Sequence, residues 1–347
     1  MTATRSTSCC WDEAEPYAGR VVVPLIDSFG RVHRDLRISV TDRCNFRCGY
    51  CMPAEGLQWL PREELLTFEE IERVARLLVE RHGIDSIRLT GGEPTVRADL
   101  GRLVGMLSGL GVDLALTTNG ATLSSAAAVL ADAGLKRINV SLDSLRADRF
   151  VELTLRDELG RVLEGIDAAL AAGLDPVKIN VVVMRGVNDD ELVDFARFGR
   201  DRGVVVRFIE FMPLDADEAW THESVVGVDE IVARVGEVFP LEAINRTSAP
   251  ASRFRYLDGG GEIGVVASVT RSFCDSCDRI RLTADGQFRN CLFAVDEFDV
   301  RSLLRSGASD DEVAALLERA VAAKWAGHGI GRVEFIRPAR SMSQIGG

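Results

Sequence analysis

Apolar runs suited to β-strands alternate with amphipathic helical patterns over the first two-thirds of the chain. The strand-forming runs are Leu36–Val40, Ser86–Thr90, Asp113–Thr117, Arg137–Leu142, Val177–Val183 and Val204–Glu210. Residues 67–83 show the helical pattern between two of these runs: apolar side chains recur with helical spacing, Thr67 and Glu70 can form a capping box, and Gly83 can end the helix. Residues 189–203 repeat that pattern.

Six strand–helix units in series predict a parallel sheet with right-handed crossovers. A closed βα barrel of the TIM type needs eight such units. We therefore expect an α/β fold whose main part is an open, six-unit, partial TIM-type barrel.

The pattern changes near residues 245–262, which are rich in Ser, Pro and Gly and are followed by short strand-forming runs. Such a change predicts a domain boundary at about residue 250. We expect a flexible leader over residues 1–27, the barrel over residues 28–250, and a smaller C-terminal α+β domain over residues 251–347 that carries a second group of cysteines.

Composition and charge argue against several classes of function. Of the 347 residues, 46% are hydrophobic and 27% are charged, as in a globular protein, and the formal net charge is −12. Nucleic-acid binders and membrane-surface binders usually present a basic face, so the acidic balance argues against both. No run suits a membrane span or a secretory signal, and we expect a cytoplasmic protein with reduced cysteines.

Six of the eight cysteines fall into two groups of three, while Cys9 and Cys10 lie in the polar leader, where we expect unligated thiols. The groups are Cys44-x3-Cys48-x2-Cys51 and Cys274-x2-Cys277-x13-Cys291. A structural zinc site takes four protein ligands, and the four histidines have no finger-like spacing to either group. A four-iron cluster held by three cysteines leaves one iron open to an external ligand. The sequence therefore predicts two such iron–sulfur sites.

The unusual turns of the chain follow the predicted strands at their carboxyl ends, where βα barrels build active sites. The first cysteine group follows the first strand, and the turns at strands two, three, four and six contain GGEPTVR, TTNG, SLDS and EFMP. Any one of these segments could be only a tight turn. Together, on one face, they predict an active site.

The first cysteine group, with Tyr50 directly before its last member, resembles the signature of the radical S-adenosylmethionine (SAM) superfamily, as does the GGEP segment at Gly91–Pro94. The two cysteine groups together, the segment DLRISVTDRCNFRCGYCMP, the pair Arg279 and Arg281, and the final two glycines resemble the GTP 3′,8-cyclase family within it. The resemblance implies a partial barrel, a [4Fe–4S] cluster on each cysteine group, SAM at the first cluster and GTP at the second.

The resemblance also implies roles for individual residues. SAM contacts are implied at Tyr50, Gly92, Ser141 and Met212, and GTP contacts are implied at Arg37, Arg88, Thr117, Lys178, Arg279, Ile280 and Arg281. In this family the glycine tail reaches into the active site, which implies that Gly346 and Gly347 act in turnover together with Arg279 and Arg281.

Physical reasoning supports the cationic members of this set. GTP carries several negative charges, and an acidic chain must line its site with local cations. Arg88 and Lys178 lie within predicted strands, where a charge that points toward the barrel interior is costly without a partner. We therefore favour a ligand role for both.

The implied reaction is the conversion of GTP to (8S)-3′,8-cyclo-7,8-dihydroguanosine 5′-triphosphate through a SAM-derived radical, the first step of molybdenum cofactor biosynthesis. The implied partners are a low-potential electron donor of the flavodoxin or ferredoxin type and the next pathway enzyme, which makes cyclic pyranopterin monophosphate. A homodimer is also implied. Two alternatives stay open: a radical SAM enzyme with an auxiliary cluster that acts on a peptide or another small molecule, and a zinc protein whose cysteines staple loops.

Overall fold

The computed structural model describes residues 22–215, 219–244, 250–330 and 335–346. The strands in these ranges are β1 (Leu25–Ile26), β2 (Val32–His33), β3 (Asp35–Ser39), β4 (Ser86–Thr90), β5 (Asp113–Thr118), β6 (Arg137–Ser141), β7 (Val177–Val183), β8 (Val205–Glu210), β9 (Leu241–Ala243), β10 (Ser252–Tyr256), β11 (Glu262–Val266), β12 (Arg279–Leu282), β13 (Gln287–Arg289) and β14 (Phe298–Asp299).

The α-helices in the same ranges are α1 (Phe68–His82), α2 (Leu100–Ser108), α3 (Leu123–Asp132), α4 (Ala147–Thr154), α5 (Leu159–Ala171), α6 (Leu192–Arg202), α7 (Val228–Gly236), α8 (Val300–Arg305), α9 (Asp310–Ala322) and α10 (Met342–Ile345). None of them is both long and apolar enough to cross a bilayer.

The six predicted strands are confirmed as β3 to β8, and each begins and ends within one residue of its prediction. The predicted caps of α1 are also confirmed. The Thr67 side chain accepts a hydrogen bond from the Glu70 amide at 3.1 Å, the Thr67 amide donates to the Glu70 carboxylate at 2.7 Å, and Gly83 ends the helix with a φ of 71°. These bonds satisfy backbone groups that the helix ends would otherwise expose.

The main sheet is open, and its order is β14-β13-β12-β3-β4-β5-β6-β7-β8-β11-β10-β9. The parallel strands β3 to β8 form the predicted partial barrel, which is therefore confirmed. Two further parallel strands from the C-terminal part of the chain extend it, because β12 pairs with β3 and β11 pairs with β8. The division of the chain into domains at residue 250 stays a prediction.

The barrel strands have one apolar face and one polar face, because successive side chains of a strand point to opposite sides. Apolar residues such as Ile38, Leu89 and Ile179 belong to the buried core. Each such side chain contributes about 2 kcal/mol through burial. The alternating positions, such as Arg37 and Arg88, line an interior cavity instead. This second face is where the candidate site lies.

Candidate active site

One cavity inside the partial barrel contains both cysteine groups. All six of their cysteines line it, and all six are free thiols. The first group follows the carboxyl end of β3. Cys274 and Cys277 precede the amino end of β12, which is parallel to β3, so the second group lies at the opposite end of the barrel. The cavity therefore runs between the two groups.

The first cysteine group lies in a compact, half-buried loop. The Cys51 amide donates to the Cys48 carbonyl at 2.8 Å, and the Asn119 side chain donates to the Cys44 sulfur at 3.9 Å. Burial raises the pKa of Cys44 to about 11 and that of Cys51 to about 12, and it raises the pKa of Cys48 well above its usual value. Thiolates in such a place need a nearby positive charge, which iron supplies when it displaces the protons. Three thiol donors in this position fit an iron–sulfur cluster with one open iron.

The predicted SAM contacts Tyr50, Gly92, Ser141 and Met212 all line the cavity. The Tyr50 hydroxyl donates to Asp143 Oδ2 at 2.6 Å, and burial raises the pKa of Asp143 to about 6 despite this bond. The sequence analysis did not assign Asp143, yet it lies in the cavity lining and orients Tyr50. The sequence feature that could have identified Asp143 as a site residue was its position in the SLDS turn.

The glycines of the GGEP segment allow close contact between backbones. A Cβ on Gly92 would lie 2.3 Å from the Arg43 carbonyl oxygen, and one on Gly91 would lie 2.4 Å from the Thr41 carbonyl oxygen. Only glycine tolerates such an approach. The segment is therefore packed directly on the loop that begins the first cysteine group.

Glu93, in the same segment, joins two turns of the site. Its buried carboxylate accepts hydrogen bonds from the Thr95 amide at 3.0 Å, the Thr118 hydroxyl at 2.7 Å and the Asn119 amide at 2.6 Å. Because Glu93 follows β4 and Asn119 follows β5, these bonds hold the GGEP and TTNG turns together. The carboxylate is thereby satisfied as a buried polar group must be.

Three arginines, which we call the cation row, lie side by side across the sheet: Arg281 on β12, Arg37 on β3 and Arg88 on β4 are register partners. Neighbouring strands are about 4.8 Å apart, so these like charges repel one another. The Nε atoms of Arg37 and Arg88 are buried without a hydrogen-bond partner. Burial, together with the charge of Arg37, lowers the pKa of Arg88 and of Arg281 well below the usual value. Such a row needs an anion.

The other predicted GTP contacts lie around the cation row, except that the side chain of Ile280 faces away from the cavity. Thr117 and Arg279 line the cavity. Lys178 lies beneath the cavity-lining Asn180 on the same face of β7, and burial with nearby arginines lowers its pKa to about 8. Ile280, between two cavity-facing arginines, is fully buried in the apolar core, so its side chain is not available to a ligand in the cavity.

Arg207 on β8 is a cavity-lining cation that the sequence analysis did not assign. Burial and the charge of Arg37 lower its pKa to about 10. The signal was present, because Arg207 is a charged residue within a predicted strand, as Arg88 and Lys178 are. Alternation along β8 places it on the same face as the cavity-lining Ile209.

The C-terminal tail enters the same region. The Gly346 carbonyl accepts a hydrogen bond from Arg281 at 2.5 Å, which ties the tail to the cation row. Gly346 has a φ of 82°, and a Cβ there would lie 2.3 Å from the Ser39 hydroxyl and 2.7 Å from Thr90. Gly347 lies outside the described residues.

The second cysteine group has several cations around it, whereas Arg47 is the cation that acts on Cys44 in the first group. Burial alone would raise the pKa of Cys274, but hydrogen bonds from His328 and Ser272 lower it to about 7. Likewise, Arg279 and Lys324 outweigh burial and lower the pKa of Cys277. These thiols are prepared to bind metal as thiolates. Within the described ranges no three His, Cys, Asp or Glu side chains converge on one ion, and the cysteines of a four-iron cluster each bind a different iron.

Comparisons with known proteins agree with this geometry. The radical SAM superfamily model matches residues 38–199, and the Molybdenum Cofactor Synthesis C model matches residues 204–330. The GTP 3′,8-cyclase of Corynebacterium glutamicum is 49% identical over 336 residues, which cover 93% of this chain and 89% of the relative. That of Rhodopirellula baltica is 48% identical, over 94% of this chain and 92% of the relative. The chain belongs to the GTP 3′,8-cyclase family.

Membership of the family makes this chain a radical SAM enzyme that catalyses the first step of molybdenum cofactor biosynthesis with SAM and [4Fe–4S] clusters as cofactors. GTP 3′,8-cyclase 2 of Mycobacterium tuberculosis is 47% identical over 96% of this chain and 95% of the relative. Among solved structures, Streptococcus suis SuiB bound to S-adenosylmethionine matches with a TM-score of 0.58 at 14% identity, over 89% of this chain and 77% of SuiB. That match supports the fold alone.

Proposed function

We propose that the cavity binds SAM at the first cysteine group and GTP between the cation row and the second cysteine group. The product is (8S)-3′,8-cyclo-7,8-dihydroguanosine 5′-triphosphate. The observation that carries the proposal is the cation row: the buried Arg88 and Arg281 and the half-buried Arg37 are neighbours in the cavity of a chain whose net charge is −12. A polyanionic ligand resolves their mutual repulsion.

The two cysteine groups would hold the two clusters. Their ligands are Cys44, Cys48 and Cys51 for the first and Cys274, Cys277 and Cys291 for the second. When bound, SAM and the first cluster supply the 5′-deoxyadenosyl radical that takes the hydrogen atom from C3′ of GTP, which lets C3′ bond to C8 of guanine. The residues of this chain bind GTP and SAM, orient C3′ of GTP toward the radical and toward C8 of guanine, and keep water out.

GTP binding rests on residues from six strands. Arg37 and Arg88 have unpaired Nε donors, and a guanidinium can grip phosphate oxygens with two parallel hydrogen bonds. Lys178 and Arg207 add positive charge on β7 and β8. Arg279, close to Cys277, lies where the triphosphate-bearing nucleotide would approach the second cluster. Thr117 completes the set with a hydroxyl group.

SAM would bind at the end of the cavity that contains the first cysteine group. Gly92 lines the cavity, and its lack of a Cβ lets it pack on the Arg43 carbonyl in the loop of the first cysteine group, while Ser141 and Met212 line the space nearby. Tyr50 is held by its 2.6 Å hydrogen bond to Asp143, so its ring has a fixed orientation beside Cys51. A preorganised pocket of this kind loses little entropy when SAM binds.

The tail contributes to turnover through position. Gly346 lies between the carboxyl ends of β3 and β4 and the Arg281 guanidinium. We propose that Gly346 closes the cavity over the bound nucleotide and keeps Arg281 aligned with it. A role of Gly347 in turnover stays a prediction. Arg279 and Arg281 are then catalytic residues in the sense that they touch the substrate.

The reaction also implies partners. A low-potential donor of the flavodoxin or ferredoxin type must reduce the first cluster, and the product passes to the enzyme that makes cyclic pyranopterin monophosphate. We propose a homodimer in the cytoplasm, where thiols stay reduced and able to hold iron.

The test is an anaerobic assay of the full chain with GTP, SAM and a reductant, with product identification and iron analysis. We expect about eight irons per chain, and about four after Ser replaces either cysteine group. We also expect the cyclised nucleotide and 5′-deoxyadenosine to form only when GTP is present. Deoxyadenosine that forms only with an added peptide would identify a different radical SAM enzyme, and zinc without iron would identify a structural zinc protein.

A further inference from the structure

A buried lysine contacts the second cysteine group, and the proposed reaction does not use it. Lys324 follows α9 and is 3% exposed. Its ammonium group donates to the Arg279 carbonyl at 2.8 Å and contacts His33 Nε2 at 2.9 Å. It also lies 3.4 Å from the Cys277 carbonyl oxygen and 3.6 Å from the Cys277 sulfur. An ammonium group has three N–H donors, and these four acceptors share them.

Arg31 fixes the segment that carries Lys324. Its guanidinium donates to the Trp325 carbonyl at 2.6 Å and to the Cys274 carbonyl at 2.7 Å, so one side chain joins that segment to the second cysteine group. Arg31 is itself held by a 2.6 Å ion pair with the buried Asp27. The Lys324 ammonium is therefore placed by a rigid framework and not by its own flexible chain.

The charge of Lys324 is directed at the cysteine sulfur. Asp27 is already paired with Arg31, and Asp278 interacts with Lys324 electrostatically. No ion pair between Lys324 and a carboxylate forms in the part of the chain that is described. A buried cation needs compensation. The thiolate of Cys277 is the anion within its reach.

The first cysteine group has a different environment. The hydrogen-bond donors to the Cys44 sulfur are neutral groups, the Phe46 amide at 3.4 Å and the Asn119 side chain at 3.9 Å. The carboxyl group of Asp143 lines the cavity at the same end. Arg47 is a cation near Cys44, but its guanidinium donates to the Cys44 carbonyl at 2.8 Å. The second site differs because the buried ammonium of Lys324 contacts a cysteine sulfur.

We propose that Lys324 is a positioning residue that holds Cys277 and raises the reduction potential of the second cluster above that of the first. The inference rests on the proposed function, because it assumes a cluster on Cys274, Cys277 and Cys291. Hydrogen bonds to the cysteine sulfurs and the net charge around a cluster set its potential, and a cation with its donors favours the reduced, more negative state.

The test measures the midpoint potential of each cluster separately, by anaerobic redox titration followed by electron paramagnetic resonance. Full-length chains in which Ser replaces one cysteine group carry only the other cluster. In each background we compare Lys324→Met, which removes charge and donors, Lys324→Gln, which keeps donors without the charge, and Lys324→Arg, which keeps both. Arg319→Met, on the exposed face of α9, is the matched control for loss of a nearby surface charge.

We expect K324M to shift the second cluster to a more negative midpoint, K324Q to shift it less, and K324R and R319M to leave it close to the unsubstituted chain. The first cluster should not move in any variant. Equal midpoints for K324M and K324R, or equal shifts in both clusters, would overturn the proposal. If K324M does not hold four irons at the second group, the comparison of K324Q with K324R decides in the same way. An unsubstituted chain without iron on that group would instead overturn the proposed function.

Discussion

The cation row makes a prediction whose two parts have opposite signs. Arg88→Met removes one of three adjacent cavity-lining cations and keeps a side chain of similar length. Arg88 is 8% exposed, its Nε has no hydrogen-bond partner, and its register neighbour on β3 is Arg37. The ligand-free protein should therefore become more stable, while GTP should bind more weakly. A residue kept for stability could not show both effects.

The structure sets the size of both effects. A buried donor without a partner costs about 1–3 kcal/mol, and R88M removes that cost together with the repulsion from Arg37, so the midpoint of thermal unfolding should rise by a few degrees. Loss of one buried, charge-assisted phosphate contact should weaken binding by about 2–4 kcal/mol, which is roughly 30-fold to 700-fold in the dissociation constant.

The assay combines anaerobic thermal unfolding without nucleotide and equilibrium dialysis with GTP. Arg102→Met is the control, because the Arg102 side chain is 62% exposed and pairs with Glu69 on the outer surface. R102M should change neither the unfolding temperature nor the GTP dissociation constant measurably. If R88M unfolds at a lower temperature than the unsubstituted chain and binds GTP within about threefold of it, an anion-binding role for the row is refuted.

Three further substitutions test other parts of the site. Glu93→Gln should lower the free energy of unfolding by about 2–4 kcal/mol in denaturant melts, because one amide oxygen cannot replace a carboxylate that accepts from two amides and two hydroxyls; an unchanged value would contradict this. Burial raises the pKa of Asp143 to about 6 from 3.8, so the folded cluster-free chain keeps a proton that the unfolded chain loses between these values. The unsubstituted chain should therefore lose up to about 3 kcal/mol of unfolding free energy relative to Asp143→Asn as the pH rises from 3.8 to about 6. Parallel stability-versus-pH profiles for the two chains would exclude this role of Asp143. Gly346→Ala should lower GTP turnover by about a hundredfold with iron content unchanged, whereas Gly186→Ala, at a φ of 73° with open space around it, should leave turnover intact; equal losses would mean that backbone strain alone is responsible.

Local sequence signals were sufficient for the barrel. The six strands and the caps of α1 follow from patterns within a few residues, such as the Thr67 and Glu70 pair. The pairing of β11 and β12 with the two edges of the barrel depends on contacts between residues far apart in the chain. No periodicity within a segment carries that information, so the sequence predicted six units and the structure adds two strands.

In the candidate site, too, local sequence patterns identified some residues, and contacts between distant parts of the chain gave the others their roles. The cysteine spacing and the glycine-rich turns are local, and they predicted which residues line the cavity at each end. Asp143 and Lys324 gained their roles from partners elsewhere in the chain, Tyr50 in one case and the Cys277 sulfur in the other. Before folding, each is an ordinary charged residue. Arg207 could have been found, since the burial argument applied to Arg88 holds equally for it.

The pairing of β12 with β3 explains why two distant cysteine groups serve one reaction. The first group follows β3, and Cys274 and Cys277 of the second group precede the parallel β12, so the five residues of β3 separate them. At about 3.3 Å per residue this is roughly 17 Å, a span long enough for the proposed nucleotide beside SAM. The same register turns Arg279 and Arg281 inward and Ile280 into the core. A slip of one residue would reverse those faces, remove two cations from the cavity and bury them among apolar side chains, so the core and the site select the same register.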